Sequence, residues 1–208
     1  MEDLLALYEE PYDPLRPVIC FDERPCQLLG EVLAPIPMKL GRAKRQDNEY
    51  ERKGTCCILI AFEPLKGWRF VQVRRRRTAL DYALFMQELV TRYYRGVDRI
   101  RLVQDNLNTH TPGAFYQALA PQDAFDLAQN FELHYTPLKG SWLNMAEIEL
   151  SALARQCLDR RIGDIETFTK ETRIWTSKRN AARKTVRWQF TQAAARGKLK
   201  SKYPMLQD

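Results

Sequence analysis

Three acids in this 208-residue chain stand where acids are costly. Asp22 closes the apolar run Val18-Ile19-Cys20-Phe21. Asp105 closes a second run, Arg99-Ile100-Arg101-Leu102-Val103-Gln104. Glu147 follows Trp142-Leu143-Asn144 at the start of an expected helix. A carboxylate at the end of a buried strand is desolvated and needs a partner. Two of them on adjacent parallel strands repel each other unless a cation lies between. Hard oxygen ligands with open positions suit Mg²⁺ or Mn²⁺. Two such ions, about 3.5–4 Å apart, can activate water and stabilise the leaving oxygen in phosphodiester cleavage. The plainer alternative makes Asp22 and Asp105 turn or cap residues, paired with Arg24 or a backbone amide.

The elements that must carry these acids can be read from periodicity. Val18–Phe21 is a short continuous apolar run, as in a strand buried on both faces. Residues 31–53 read as a long basic loop. Thr55–Phe62 is a strand, and Trp68–Val73 alternates and pairs back on it as a hairpin. Thr78 caps a helix through about Arg95, with Leu80, Leu84, Phe85, Leu89 and Val90 as its stripe. Residues 99–103 form a fourth strand. Two short helices around 112–120 and 121–129 precede a fifth strand at 131–135. Helices are expected over 145–158 and, capped by Asp164, to about Lys178. Val186, Trp188 and Phe190 alternate in an extended piece. The expected fold is α/β: a mixed sheet of about five strands with helices on both faces. A hairpin followed by a helical crossover to a parallel strand matches the ribonuclease H-like order. A doubly wound nucleotide-binding fold is disfavoured, because no Gly-x-Gly-x-x-Gly or Walker-type motif occurs. Residues 1–16 read as an acidic connector, broken by Pro11 and Pro14. Residues 17–160 read as the catalytic core, and 161–208 as a basic helical extension of the same domain.

Composition narrows the partners. Apolar residues make up 45%, enough to exclude wholesale disorder. The longest apolar run, Cys56–Phe62, is far short of a bilayer span. The acidic start offers no secretory signal. An odd number of cysteines, five, without Cys-x-x-Cys points to reduced thiols in a cytosolic protein. The net charge of +7 is gathered in blocks. One block contains Lys39, Arg42, Lys44 and Arg45. Another is the run Arg74-Arg75-Arg76-Arg77, and a third spans 170–202. With Trp68, Trp175 and Trp188 interleaved, the blocks suit a polyphosphate such as DNA better than a membrane surface, since none has an apolar face of its own. Each block alone could equally be a solvated face.

Three segments carry a family resemblance. They are Cys20-Phe21-Asp22-Glu23, Gln104-Asp105-Asn106-Leu107-Asn108-Thr109-His110, and His134-Tyr135-Thr136-Pro137 followed by Gly140-Ser141-Trp142-Leu143-Asn144-Met145-Ala146-Glu147. Together they resemble the DDE-type transposases of bacterial insertion sequences, in the branch related to mariner elements, over about residues 17–200. The resemblance implies a ribonuclease H-like catalytic domain whose three acids hold two divalent metals, Mg²⁺ or Mn²⁺. Such enzymes are metal-dependent DNA endonucleases and strand transferases that cut and rejoin DNA at element ends. By matching position the triad is Asp22, Asp105 and Glu147, with Asp22 bridging both ions. The expected partners are element-end and target DNA and a second copy of the chain, in the bacterial cytoplasm at the nucleoid, with no membrane.

Two departures from the family pattern stand out. The interval from Asp105 to Glu147 is 42 positions, longer than the common mariner-type spacing. The extra length falls in the helical stretch 112–130, away from the acids. Only an acidic connector precedes the first strand, where such transposases carry a helix-turn-helix region. Sequence-specific end recognition is therefore not expected of these residues. The alternatives are another ribonuclease H-like nuclease, or a nucleic-acid-binding remnant with vestigial acids.

Asn106, His110 and Asn144 are expected to support the metal ligands or touch DNA, with capping and loop bonding as the plainer roles. Lys139, Ser141 and Trp142 could meet phosphates and stack a base, though Trp142 could be core. Glu23, one residue from Asp22, points to the opposite strand face and is not expected to be a ligand. Two residues on a helix is about 200° of rotation, so only one of Glu147 and Glu149 can face the strand ends. Glu149 is expected to be exposed or salt-bridged, and Glu149→Gln nearly normal.

Overall fold

In the computed structural model, which describes residues 1–43, 45 and 47–200, five strands form one sheet. They are β1 (Val18–Glu31), β2 (Tyr50–Glu63), β3 (Trp68–Arg74), β4 (Ile100–Gln104) and β5 (Phe131–Tyr135), in the order β3-β2-β1-β4-β5. β3, β2 and β1 are antiparallel, and β1, β4 and β5 run parallel. The mixed five-stranded sheet read from the sequence is therefore present.

Alternation along the strands divides the core into two layers. Ile19 and Phe21 of β1, Leu59 and Ala61 of β2 and Leu102 of β4 face α2 (Ala79–Glu88), α3 (Phe115–Ala118) and α4 (Pro121–Gln129). Cys20, Ile58, Ile60, Phe62 and Val103 face the other way. They pack with α1 (Glu2–Glu9), α5 (Ala146–Gln156), α6 (Ile165–Ala181) and α7 (Gln192–Lys198). Helices thus cover both faces of the sheet. Among the described residues, no helix is long and apolar enough to cross a membrane. The five cysteines form no disulfide.

Several boundaries differ from the sequence reading. The segment expected to be a connector carries α1, whose Leu4, Leu5 and Leu7 are buried in the core. Pro11 follows the last turn of this helix, so it ends the helix rather than preventing it. β1 does not stop at Phe21 but runs ten residues further, and β2 begins at Tyr50, so paired strand takes in only the two ends of the expected basic loop. The antiparallel ladder with β2 carries Asp22-Glu23-Arg24-Pro25 onward after β1 has left β4. Thr78 caps α2 with a reciprocal bond from Asp81, as its position suggested. The buried stripe of α2 is Tyr82, Ala83, Phe85 and Met86, however, and Leu80 is exposed. Leu89–Tyr93 then widens into a π-helical turn.

One close approach fixes the C-terminal part. Gly67, in the β2–β3 turn with φ +68°, lies under the backbone of Arg183 and Lys184, where a Cβ would come within 2.7 Å of Arg183. The chain after α6 crosses there, and the Val186 amide donates to the Pro64 carbonyl at 3.0 Å.

Candidate active site

β1 and β4 pair side by side over only three positions, the last being Cys20↔Val103. Asp22 lies just past that point, on the same strand face as Cys20, and Asp105 directly follows β4. The acids therefore meet where two parallel strands part company. Glu147, exposed in the first turn of α5, approaches on the Asp22 face. Asn144 sets that approach. Its Nδ2 donates to the Phe21 carbonyl at 2.7 Å and lies 3.5 Å from Asp22 Oδ2, while its Oδ1 accepts from the Ala146 amide at 3.1 Å. Asn144 is buried, so it ties the start of α5 to β1 and does not offer itself to DNA.

Electrostatics binds the three acids into one group. Burial pushes the Asp22 carboxyl up to about 7, and the charges of Glu147 and Asp105 add to the rise. The Glu23 amide, donating at 2.8 Å, and His110 oppose it. Among the described residues none of the three carboxylates forms an ion pair with Lys or Arg. An all-oxygen, like-charged set at a strand junction fits a hard divalent cation. The set is open: among the described residues no three His, Cys, Asp or Glu side chains close around a common point.

His110 belongs to this site, though not as a DNA contact. Its side chain is 1% exposed, wedged edge-on against Phe21 and beside Tyr82, and Nδ1 hydrogen-bonds Asp105 Oδ1. Burial presses its pKa down, but the hydrogen bond and charge of Asp105 and the nearby Glu23 carboxylate lift it to about 9. Gln104 and Tyr82, to which the sequence reading gave no role at the site, hold this loop. Gln104, fully buried, donates to the His110 carbonyl at 2.8 Å and accepts from the Tyr82 hydroxyl at 2.9 Å. A polar Gln at the end of an apolar strand was the visible signal, and it reads equally as a strand end. Asn106 is exposed in the same loop.

At the rim, Lys139 (φ +60°), Ser141 and Trp142 are exposed on the turn leading to α5. Gly140 is required there, because a Cβ would meet Pro137 within 2.6 Å. Trp142 is neither buried nor alone. It is 49% exposed and stacks on Trp188 at 6.2 Å. The first basic block does not gather at the acids. Lys39 and Arg42 face each other across the exposed turn of the β1–β2 hairpin, with Arg45 bridged to Ile36. Nine residues of β1 separate Asp22 from the end of that strand, about 30 Å of strand. Lys44 lies outside the described residues. Arg74 is bonded to Gln72, Arg75 and Arg76 are exposed, and Arg77 pairs with Glu23 at 3.1 Å.

Glu149 is the largest departure from expectation. It is salt-bridged, as one branch of the sequence reading had it, but it is also 0% exposed. Arg69 Nε donates to Oε2 at 2.5 Å, and Arg179 donates to both oxygens at 2.9 and 2.7 Å. Burial pushes its carboxyl up, but the bonds and charges of the two arginines outweigh this and hold it below the usual range. Arg69 also donates to the carbonyls of Gly67 and Lys184. Glu149→Gln cannot be near-normal in such a setting.

A protein-family model, described as DDE superfamily endonuclease, matches residues 17–169. The chain belongs to this family. The match contains all three acids of this DDE superfamily endonuclease domain. No curated protein is significantly similar to the chain. Among solved structures, the Mos1 mariner paired-end complex with Mn superposes with a TM-score of 0.60 at 15% identity, covering 88% of this chain and 54% of that one. The Mos1 strand transfer complex gives 0.56 at 16%, covering 85% and 51%. The Mos1 transposase catalytic domain, solved with raltegravir and Mn, gives 0.56 at 13%, covering 88% and 84%. The DDE endonuclease domain thus shares its fold with the Mos1 catalytic domain. It spans about half the length of the longer Mos1 chains.

Proposed function

We propose that this DDE domain is a transposase catalytic domain, which cleaves DNA and transfers strands using divalent metal held by Asp22, Asp105 and Glu147. One observation carries the reading. The carboxylates of Asp105, at the end of β4, and of Glu147, at the start of α5, both act on the buried Asp22 of β1, and none of the three has a Lys or Arg partner among the described residues. Mutual repulsion of this kind is relieved by a cation. When bound, Mg²⁺ or Mn²⁺ supplies activation of the attacking oxygen and neutralises charge at the scissile phosphate. The chain's own residues do the positioning. Asn144 fixes where α5 presents Glu147. His110 holds one Asp105 oxygen and so limits how that carboxylate can turn. Lys139 and Trp142 offer a phosphate contact and a stacking face beside Glu147. The Mn named in two Mos1 structures supports the divalent metal of the proposal, and the paired ends named in two of them support an assembly on element ends; that the ions number two, that the assembly is a dimer and that the element is bacterial are parts of the proposal itself.

The test is nicking of supercoiled DNA in Mn²⁺, by wild type and by Asp105→Asn. Wild-type nicking that Asp105→Asn lacks is expected, and equal nicking by both defeats the metal reading. Joining of a pre-cut 3′ end to a second duplex separates a transposase from a simple nuclease.

DNA binding by these residues should rest on phosphates. Affinity should fall with salt, with a log–log slope of about −0.9 per neutralised phosphate. Changing Arg75 and Arg76, both exposed and with solvated side chains, to Ala should shallow the slope by about 1–2 and weaken unrelated duplexes alike. Titrations at several salt concentrations measure this. An unchanged slope removes the arginine run from the interface.

A further inference from the structure

Asp22 and Glu23 are neighbours on β1 and therefore point to opposite faces of the sheet. Asp22 faces α5. Glu23 lies on the α2 side with Phe21, and its side chain is only 7% exposed. Its two oxygens are divided. Oε1 accepts from Arg77 Nη1 at 3.1 Å, and Oε2 lies 3.6 Å from His110 Nε2. That His110 nitrogen is buried and has no hydrogen-bond partner. The other ring nitrogen holds Asp105. An imidazole is rigid, so whatever fixes one nitrogen also fixes the direction of the other. A buried acid with one oxygen aimed at an unpartnered buried nitrogen is costly unless it does something.

We propose that Glu23 is a positioning residue. Through His110 it braces Asp105 from the face of the sheet opposite Asp22 and Glu147, and so sets the affinity of the site for divalent metal. The proposal rests on the reading of Asp105 as a metal ligand. Asp105 is half-buried where a strand end opens into a loop whose residues 106–108 are exposed. The brace orients its carboxylate from inside the protein. Gln104 secures the backbone of His110, and Phe21 and Tyr82 confine its ring, so Glu23 is the polar group facing its far edge. Groups that orient metal ligands from behind are typically worth 10–100-fold in metal affinity.

The experiment measures Mn²⁺ affinity of the DNA-free, full-length chain, with a thermal melt of each variant. Asp105→Asn is the control for the metal reading. If it binds Mn²⁺ as wild type does, that reading fails, and the brace falls with it. If Asp105→Asn loses Mn²⁺, the brace is tested alone. Glu23→Ala should then bind about 10-fold or more weakly, and Glu23→Gln, whose amide oxygen still faces Nε2, within about 3-fold of wild type. Should Glu23→Ala fail to fold, Glu23→Asp keeps the charge but withdraws it from His110, and should show the same loss. In a His110→Asn background, where the side chain no longer reaches Glu23, Glu23→Ala should cause no further loss, because the two act as one unit. Wild-type Mn²⁺ affinity in a folded Glu23→Ala or Glu23→Asp protein overturns the proposal. So do losses that simply add in the double variant.

Discussion

Asp22→Asn should abolish metal-dependent cleavage and, at the same time, raise the melting temperature of the metal-free protein. The two effects have one cause. The folded state holds the Asp22 carboxyl up at about 7 by burial and by the charges of Glu147 and Asp105. An unfolded chain releases that proton near the ordinary carboxylate value of about 4. The folded state therefore holds more protons between about pH 4 and pH 7, and stability falls as pH rises through that window. Below it the variant gains nothing from losing the charge. Above it the gain is complete, with a ceiling of about 4 kcal/mol. Partial solvation should leave on the order of 1–2 kcal/mol, or roughly 3–6 °C for a chain of this size. Asn keeps an oxygen for the Glu23 amide, so the local bond survives. Melting curves at pH 4 and pH 8, with and without Mn²⁺, measure all of this. Mn²⁺ should raise the wild-type midpoint at pH 8 and leave the variant's alone. A variant less stable than wild type at pH 8 would mean that the three acids do not repel as described.

Glu147→Gln and Glu149→Gln should fail in opposite ways. Glu147 is exposed and carries no structural bond, so its variant should melt within about 0.5 kcal/mol of wild type and be inactive. Glu149 balances two arginines inside the protein. Removing its charge leaves Arg69 buried and uncompensated and Arg179 half-buried beside it, a loss of about 3–5 kcal/mol. Its variant should melt early or fail to accumulate, with activity lost through unfolding. Melts paired with nicking assays separate the two cases. A stable, inactive Glu149→Gln beside an active Glu147→Gln would show that the acid register on α5 is wrong by half a turn.

The sheet was legible in the sequence because its core strands are short, apolar and rich in β-formers. The residues 131–135 and the Thr78 and Asp164 caps were marked by local signals. The extension of β1 was not. Asp22-Glu23-Arg24-Pro25 reads as a strand end, and only pairing with β2 keeps it extended. α1 was hidden by its acids and the following prolines, since its three leucines gain meaning only from the core they meet. At the site, the acids could be picked out because charge at the end of an apolar run is locally anomalous. The roles of Glu23 and Glu149 could not. Each depends on a residue far away in the chain: His110 for the first, Arg69 for the second.

The Glu149 cluster also says where the folding unit ends. The family match stops at residue 169, part-way along α6, yet Arg179 at the far end of that helix closes the cluster around Glu149. At the other end, Leu4 and Leu5 fill the core well before residue 17. The stretch that relatives share is thus shorter than the stretch that must fold together. A fragment trimmed to residues 17–169 would keep Asp22, Asp105 and Glu147. It would also strip leucines from the core and leave Arg69 and Glu149 open to water, so it should be soluble only as a partly unfolded chain.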